Sequence, residues 1–301
     1  MNTEQKNILK VLAYFDVFNY PLNAEEINSF YFDPNESSFE NAVNILVEEK
    51  IIFKLNGFYS LQNDPSLITR RLTGNNFAQM QMATATKAAA ILAGFPYVRG
   101  LAISGSLSKN FADEKADVDF FIITAPNRLW IARTIMHLFK KLSFIAGKQN
   151  WFCMNYYVDE AMLEIPEKNI FTAMEIVTLI PMYGQAILPL FYNKNEWTKN
   201  YFPGRVAAIC NIPESKKGFF SRMTEKIFNG DTGDAIDNWL MNLTDKRWKK
   251  KTARNRLNVR GIKMTLKADK HFSKPDPTNF QNRVVQQYES KLKEIVSVIA
   301  D

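Results

Sequence analysis

The stretch LAISGSLSKNFADEKADVDFFIIT, residues 101–124, decides the fold of this chain. An apolar run leads into Gly105-Ser106, and a second apolar run begins ten residues later with two acids at alternate positions, Asp117 and Asp119. Because side chains alternate along a β-strand, the two carboxylates are predicted to point to the same face. Adjacent carboxylates on one rigid face predict a site for a divalent metal ion.

This arrangement resembles the signature of the nucleotidyltransferase superfold, which includes polymerase beta and the aminoglycoside nucleotidyltransferases. In that family the Gly-Ser pair ends one strand and opens a short helix, and the Asp-x-Asp motif lies on the next strand. The resemblance implies that Gly105 and Ser106 hold triphosphate oxygens and that Asp117 and Asp119 are catalytic ligands of Mg²⁺ or Mn²⁺. Either motif alone would be explained better by a charged strand edge beside a glycine turn, so the expectation depends on their combination.

Two side chains that follow the Gly-Ser pair, those of Ser108 and Lys109, extend this expectation. Ser108 and Lys109 would lie within the first turn of the following helix. There a hydroxyl and an ammonium could donate to a bound nucleotide, so both are predicted nucleotide-binding residues. A solvated surface lysine is the ordinary alternative for Lys109.

The third predicted strand, WFCMNYYV at residues 151–158, departs from the family pattern. Most active members carry a third carboxylate there, whereas the central polar residue of this strand is Asn155. An amide oxygen can bind a metal but cannot accept the proton of an attacking hydroxyl. Asp159 at the end of the strand, or Glu175 in the next apolar segment, could supply the missing acid. The alternative is a catalytically inactive nucleotide- and metal-binding module with a partner-binding or regulatory role.

Residues 1–62 resemble a winged-helix domain. The patterns occur in this order: a helix over residues 4–15, a short helix capped by Asn23, a helix from residue 37 or 38 to residue 50, and a hairpin at Asn56-Gly57. This segment contains four basic and nine acidic residues, a balance of 4 − 9 = −5. Since DNA affinity depends mainly on neutralising phosphates, the charge argues against DNA binding and favours a packing or partner-binding role.

The C-terminal part, residues 193–301, is predicted to be helical and basic. Between Arg205 and Lys274 there are 17 basic and 7 acidic residues, a balance of +10. With helical spacing, five residues are available for burial, which are Trp248, Leu257, Val259, Ile262 and Leu266. This basic region would either pack against the acidic N-terminal part or bind a polyanion.

The chain as a whole is predicted to be an α+β protein with a mixed sheet. Its predicted parts are a winged helix (1–62), a nucleotidyltransferase core with preceding helices (63–192) and the helical C-terminal part (193–301). The whole resembles uncharacterised bacterial proteins that join such a core to a helical extension, and the resemblance covers about residues 95–200. The expected partners are a nucleoside triphosphate and an unidentified hydroxyl acceptor.

The first residues are not expected to form a signal peptide, because they lack its apolar core. The first ten residues are polar, and the two cysteines have no metal-site spacing, so a cytoplasmic protein is expected. The longest apolar stretch, residues 170–192, contains Glu175 and two prolines and is predicted to be a buried helix. No membrane partner is therefore expected.

Overall fold

The computed structural model describes residues 1–31, 36–145, 147–205, 211–214, 216–253, 264–277 and 280–300. These residues form ten α-helices and nine β-strands, arranged in one three-stranded and one six-stranded sheet. The protein is therefore of the α+β class, and its larger sheet is mixed, as expected from the sequence.

The N-terminal part consists of three helices and a small antiparallel sheet. In chain order the elements are α1 (Thr3–Asp16), β1 (Leu22–Asn23), α2 (Ala24–Tyr31), α3 (Glu36–Glu48), β2 (Phe53–Leu55) and β3 (Phe58–Ser60). Asn23 caps α2, because its side chain accepts from the backbone N–H of Glu26 at 2.8 Å. Asn56 and Gly57 both have positive φ, 47° and 84°, as a two-residue hairpin turn requires. The predicted helices and hairpin are confirmed.

The remaining elements build the larger sheet and the helices that cover it. They are α4 (Ser66–Ala93), β4 (Val98–Ile103), β5 (Asp119–Thr124), α5 (Leu129–Ile145), β6 (Cys153–Asp159), α6 (Ile170–Val177), β7 (Ile180–Tyr183), α7 (Leu188–Lys194), α8 (Phe219–Ile227), α9 (Gly230–Ala253), β8 (Met264–Ala268), β9 (Phe272–Pro277) and α10 (Phe280–Ala300). The strand order is β7-β4-β5-β6-β9-β8. Only β5 and β6 are parallel; the other neighbouring strands of the described sheet are antiparallel.

The sheet is covered on both faces, and β5 shows how the sequence divides them. Phe120 and Ile122 pack in the cluster that includes α4, α5 and Trp248 of α9. Phe121 and Ile123 pack in the opposite cluster, which includes α6 and α7. This alternation is expected for a strand buried on both faces. Asp119 lies two residues before Phe121 on the same strand. The alternation therefore directs Asp119 to the same side of the sheet, which carries α6.

The C-terminal part contains a β-hairpin, which corrects the prediction of a purely helical region. β9 pairs with β6 through Tyr157↔Ser273 and Val158↔Phe272, and β8 pairs with the other side of β9. Leu266, predicted to lie on a helix, lies in β8, while Leu257, Val259 and Ile262 lie outside the described residues. Pairing satisfies the backbone groups of β6, which would otherwise form the edge of the sheet.

Two further predictions about helices were wrong. Residues 170–192 form α6, β7 and α7 in place of one buried helix, and β7 pairs with β4. The sequence pattern of residues 66–94 predicts a helix that is broken near Gly74, but α4 runs through this glycine without interruption. A Cβ atom at Gly74 would overlap the ring of Phe111, so this glycine allows a close contact.

The N-terminal helices share a hydrophobic cluster with later parts of the chain. Tyr14 of α1 contacts Phe202 and Tyr288, with ring centroids 6.4 and 6.3 Å apart. Lys291 of α10 forms an ion pair with Asp16, at the end of α1. Helix α10 therefore fastens the end of the chain to its beginning.

No helix in the described part of the chain has the length and apolar character needed to cross a membrane.

Candidate functional site

The turn after β4 packs directly against Asp119, the first residue of β5. Gly105 has a φ of +70°, a conformation that favours glycine, and a Cβ there would lie 2.5 Å from Oδ2 of Asp119. The backbone N–H of Ser104 donates to the carbonyl of Asp119 at 2.9 Å and holds the two strands together. Ser106 is exposed and precedes a short 3₁₀ turn (Leu107–Lys109). The predicted phosphate turn and the predicted metal-binding strand are therefore in contact.

Asp119 is hydrogen-bonded across to the neighbouring parallel strand. Nδ2 of Asn155 donates to Oδ1 of Asp119 at 2.5 Å. The thiol of Cys153, whose residue is paired directly with Asp119, donates to Oδ1 of Asn155 at 3.2 Å. Asn155 occupies a register shift in β6, since Phe120 pairs with Met154 and the next residue of β5 pairs with Tyr156. The structure thus places Asn155 beside Asp119, where the sequence predicted the third site position.

The environment of Asp119 is unfavourable for its negative charge. Burial, together with the nearby charges of Asp117 and Glu175, raises the pKa of this carboxyl to about 6, although the Cys153 side chain and Lys109 act to lower it. Asp117 is half-buried and lies just before β5. The site therefore concentrates carboxylates in a low-dielectric setting, where a cation would be stabilised.

Lys109 and Glu175 connect the turn to α6. Nζ of Lys109 lies 2.7 Å from Oε1 of Glu175 and donates to the carbonyl oxygen of Gly105 at 3.0 Å. Oγ of Ser108 donates to the same carbonyl at 2.9 Å and lies 3.5 Å from Oγ1 of Thr178. The structure therefore brings both predicted nucleotide-binding side chains, and Glu175, to the same turn.

Asp159 is not brought to this cluster. Along the parallel pair, Cys153 lies opposite Asp119 and Asp159 lies opposite Thr124, so Asp159 is six residues, roughly 20 Å, away along β6. Its side chain is completely buried and accepts a hydrogen bond from the backbone N–H of Asn127. The suggestion that Asp159 could reach the site from the strand end is corrected by this placement.

The residues at the site fit a hard divalent ion in their chemistry. Asp117 and Asp119 offer carboxylate oxygens, and Asn155 offers an amide oxygen if its side chain rotates to exchange its two terminal atoms. In the described part of the chain no group of three or more His, Cys, Asp or Glu side chains has the arrangement of a complete metal site. Two carboxylates with further oxygens from a phosphate ligand and water match the way Mg²⁺ is usually held.

Sequence reasoning missed three residues whose hydrogen bonds support the candidate site. Cys153 lies two positions before Asn155 on the same strand, and this spacing was the available signal. Tyr20 of the N-terminal part donates from its hydroxyl to the carbonyl of Lys109 at 3.1 Å. Asn75 of α4 donates to the oxygen of the Tyr20 hydroxyl at 3.1 Å. No local pattern connects Tyr20 to a turn that lies 89 residues later.

No protein-family model matches this chain, and comparisons with curated proteins and with solved structures give no significant match.

Proposed function

We propose that this protein is a metal-dependent nucleotidyltransferase, which moves a nucleoside monophosphate from a nucleoside triphosphate to a hydroxyl acceptor. The observation that carries the proposal is the contact of the positive-φ turn at Gly105 with the carboxylate of Asp119. A turn with glycine at the point of closest approach suits a triphosphate, and the adjacent acids suit its metal ion. The two parts of the proposed chemistry thus meet at one place.

The proposed fold assignment is a nucleotidyltransferase core preceded by a winged helix. For the core, the supporting features are the antiparallel β4–β5 pair, the parallel β6 and the long α5 between β5 and β6. For the winged helix, they are the helix order and the three-stranded sheet β1-β3-β2. The acidic charge of residues 1–62 favours a packing or partner-binding role for that part over DNA binding.

Asp117 and Asp119 would hold Mg²⁺ or Mn²⁺ in this proposal. When bound, the ion would neutralise charge on the triphosphate and orient the α-phosphate. The backbone of Gly105 and the hydroxyl of Ser106 would bind phosphate oxygens. Lys109 lies close enough to the turn to exchange its ion pair for a phosphate oxygen.

Glu175 is the best-placed proton acceptor for the acceptor hydroxyl. In the reaction the acceptor oxygen bonds to the α-phosphorus, the bond to the bridging oxygen breaks, and pyrophosphate leaves with that oxygen. The hydroxyl proton has to go to a base. Glu175 lies near Asp119 and is held by Lys109, so a shift of Lys109 to the triphosphate would free its carboxylate.

A second candidate is a catalytically inactive module that binds a nucleotide and a metal ion and acts through a partner. The observation that favours it is the hydrogen bond of Asn155 to Asp119, because the third site position holds an amide without charge. Under this alternative the pocket would bind its ligands but release no pyrophosphate.

The test is incubation of the full chain with each of the four labelled ribonucleoside triphosphates and Mg²⁺ or Mn²⁺. Pyrophosphate release and transfer of label to protein, nucleotide or cell-extract hydroxyl compounds are measured. We expect release that is lost in Asp117→Asn/Asp119→Asn and kept in Glu114→Gln, a matched change at an exposed acid of the same loop.

A second variant distinguishes the two candidate functions. Asn155→Asp supplies a third carboxylate beside Asp119, so it should create or increase pyrophosphate release if the pocket is otherwise competent. Nucleotide binding by the wild type without release in either protein would establish the inactive module. Absence of nucleotide binding altogether would overturn both candidates.

A further inference from the structure

Helix α8 has its polar side turned toward the protein and its apolar side turned toward solvent. Ser221 and Thr224 are 3% and 6% exposed, respectively. Glu225, on the same side, forms an ion pair with Arg99 at 3.2 Å and accepts from the backbone N–H of Tyr97 at 2.6 Å. The helix is therefore fixed to the start of β4 through polar contacts.

The outward side of α8 carries four large apolar residues. The exposed fractions are 78% for Phe219, 67% for Phe220, 43% for Met223 and 57% for Ile227. Spacings of three, four, seven and eight residues place all four on one helix face. A surface helix normally buries such a face, so this orientation is the reverse of the usual one. An exposed contiguous apolar patch of this kind marks an interaction surface.

Basic residues border the apolar stripe. Arg222 and Lys226 are exposed and lie four residues apart along one edge of it, and Lys216 is exposed just before the helix. The segment from Arg205 to Lys274 carries a formal balance of +10. The partner of this face is therefore expected to be anionic as well as apolar.

We propose that α8 is a docking site for an anionic lipid surface, with Phe219, Phe220, Met223 and Ile227 entering the headgroup region and Arg222 and Lys226 contacting lipid phosphates. Helices with aromatic and aliphatic residues on one face and Lys or Arg beside it bind in the plane of such interfaces. Each basic residue near an anionic leaflet adds attraction that is screened by salt. The contact is peripheral and reversible.

Two other occupants fit less well. In a symmetric dimer through this face, Arg222 and Lys226 would approach their own copies, and four side chains supply less than the ~800 Å² per partner of a stable interface. Single-stranded nucleic acid would stack on the two phenylalanines, but Met223 and Ile227 offer no aromatic face for bases. A lipid surface uses all four residues and the charges together.

The proposed lipid site is separate from the candidate catalytic site. α8 contacts Tyr97 and Arg99 at the start of β4, whereas Gly105 follows the end of that strand. The proposed contact is peripheral, whereas the sequence-based expectation of no membrane partner concerned a spanning segment. It does not depend on the proposed transferase reaction.

The experiment is co-sedimentation of the full chain with phosphatidylcholine vesicles, with and without about 30 mol% phosphatidylglycerol. We expect binding to the anionic vesicles that falls as salt is raised from about 0.05 to 0.5 M. Phe219→Ser/Phe220→Ser should lower the partition coefficient at least tenfold. Arg222→Gln/Lys226→Gln should lower it about tenfold and reduce its salt dependence.

The matched control is Leu138→Ser/Leu142→Ser on α5, which removes two leucines that are 60% and 58% exposed on another helix. It should leave vesicle binding unchanged. In the wild type, vesicles should also protect the backbone amides of α8 from hydrogen exchange, a measurement that needs no variant. Failure to bind anionic vesicles at low salt, or equal loss of binding in the control, would overturn the proposal. Dimerisation or oligonucleotide binding that replaces vesicle binding and depends on Phe219 and Phe220 would also overturn it.

Discussion

One end of the parallel β5–β6 pair carries Asp159, and the other end carries Asp119. Both side chains have restricted exposure, but they differ in the groups that surround them. Asp159 accepts from two backbone N–H groups, of Asn127 and Ala161, and lies 2.9 Å from Nδ1 of His271. Each of its oxygens therefore has a partner from the protein itself. Such a carboxylate stabilises the loop connections at that end of the sheet.

At the other end, Asp119 is held by one amide and surrounded by like charges. Its raised pKa, about 6, reflects burial together with the charges of Asp117 and Glu175. A carboxylate with too little positive charge around it is suited to an external cation, whereas one that is fully satisfied is not. The difference between the two ends shows that partners, more than burial, separate a candidate functional acid from a structural one.

The largest expected effect tests this comparison through activity. Asp119→Asn should reduce nucleotidyl transfer by about a thousandfold, because a neutral amide holds a divalent ion poorly. Asp159→Asn should stay within about threefold per folded molecule, since it lies at the far end of β6. Pyrophosphate release per folded molecule is the measurement. Equal losses in the two variants would break the comparison.

The next effect concerns stability at the Asp159 end. Asp159→Ala should lower the free energy of unfolding by about 3 kcal/mol, because it leaves buried N–H groups without an acceptor. Glu160→Ala, at the exposed neighbour, should change it by less than about 0.5 kcal/mol. Urea denaturation at neutral pH measures both, and a similar small value for the two would contradict the structural role of Asp159.

A smaller effect of opposite sign is expected at Asp119. Its pKa is raised from 3.8 to about 6 in the folded wild type. The contribution of this group to the free energy of unfolding is therefore complete below about pH 4 and is lost as the pH rises through about 6. Asp119→Asn prevents this pH-dependent loss of stability, because the asparagine side chain carries no charge at any of these pH values. The variant should therefore be more stable than the wild type by about 2 kcal/mol at pH 8, with the gain disappearing near pH 4. Urea denaturation at the two pH values measures it; a gain that does not depend on pH would contradict the charge explanation.

The smallest effect sharpens the comparison at the turn. Lys109→Gln should weaken triphosphate binding about tenfold, or ~1.4 kcal/mol, because it removes a cation 3.0 Å from the carbonyl of Gly105. Lys115→Gln is the matched control, since Lys115 is exposed in the loop before β5. Calorimetric titration with a nonhydrolysable triphosphate distinguishes them. Equal affinities in the two variants would mean that Lys109 belongs only to its ion pair with Glu175.

Local patterns in the sequence predicted the geometry at the centre of the candidate site because that geometry is local. The strand, turn and strand around Gly105 and Asp119 depend on alternation and on a positive-φ glycine, and both can be recognised within 24 residues. Which residue occupies the third position of the candidate site depended on strand register. Asn155 reaches Asp119 through a register shift in β6, and Asp159 is carried to the far end of the same strand. No single-chain pattern specifies which end of a strand faces a given turn.

Tertiary contacts also decided the errors in secondary structure. The residues of β8 and β9 form short strands with weak alternation, and they extend because β6 offers an edge for pairing. Gly74 would weaken an isolated helix, yet α4 continues because the ring of Phe111 occupies the space of the missing side chain. In both places the deciding partner lies far away in the sequence.

The hydrogen bond from Tyr20 to the carbonyl of Lys109 limits how this protein can be divided for experiments. An expression fragment that begins after residue 62 would keep every acid of the candidate site but would lose the hydroxyl that anchors the turn. The ring of Phe111, 5.9 Å from that of Tyr20, would also lose a neighbour. Such a fragment should bind nucleotide more weakly than the whole chain even if it folds. Screening for substrates should therefore use the chain with its N-terminal helices attached.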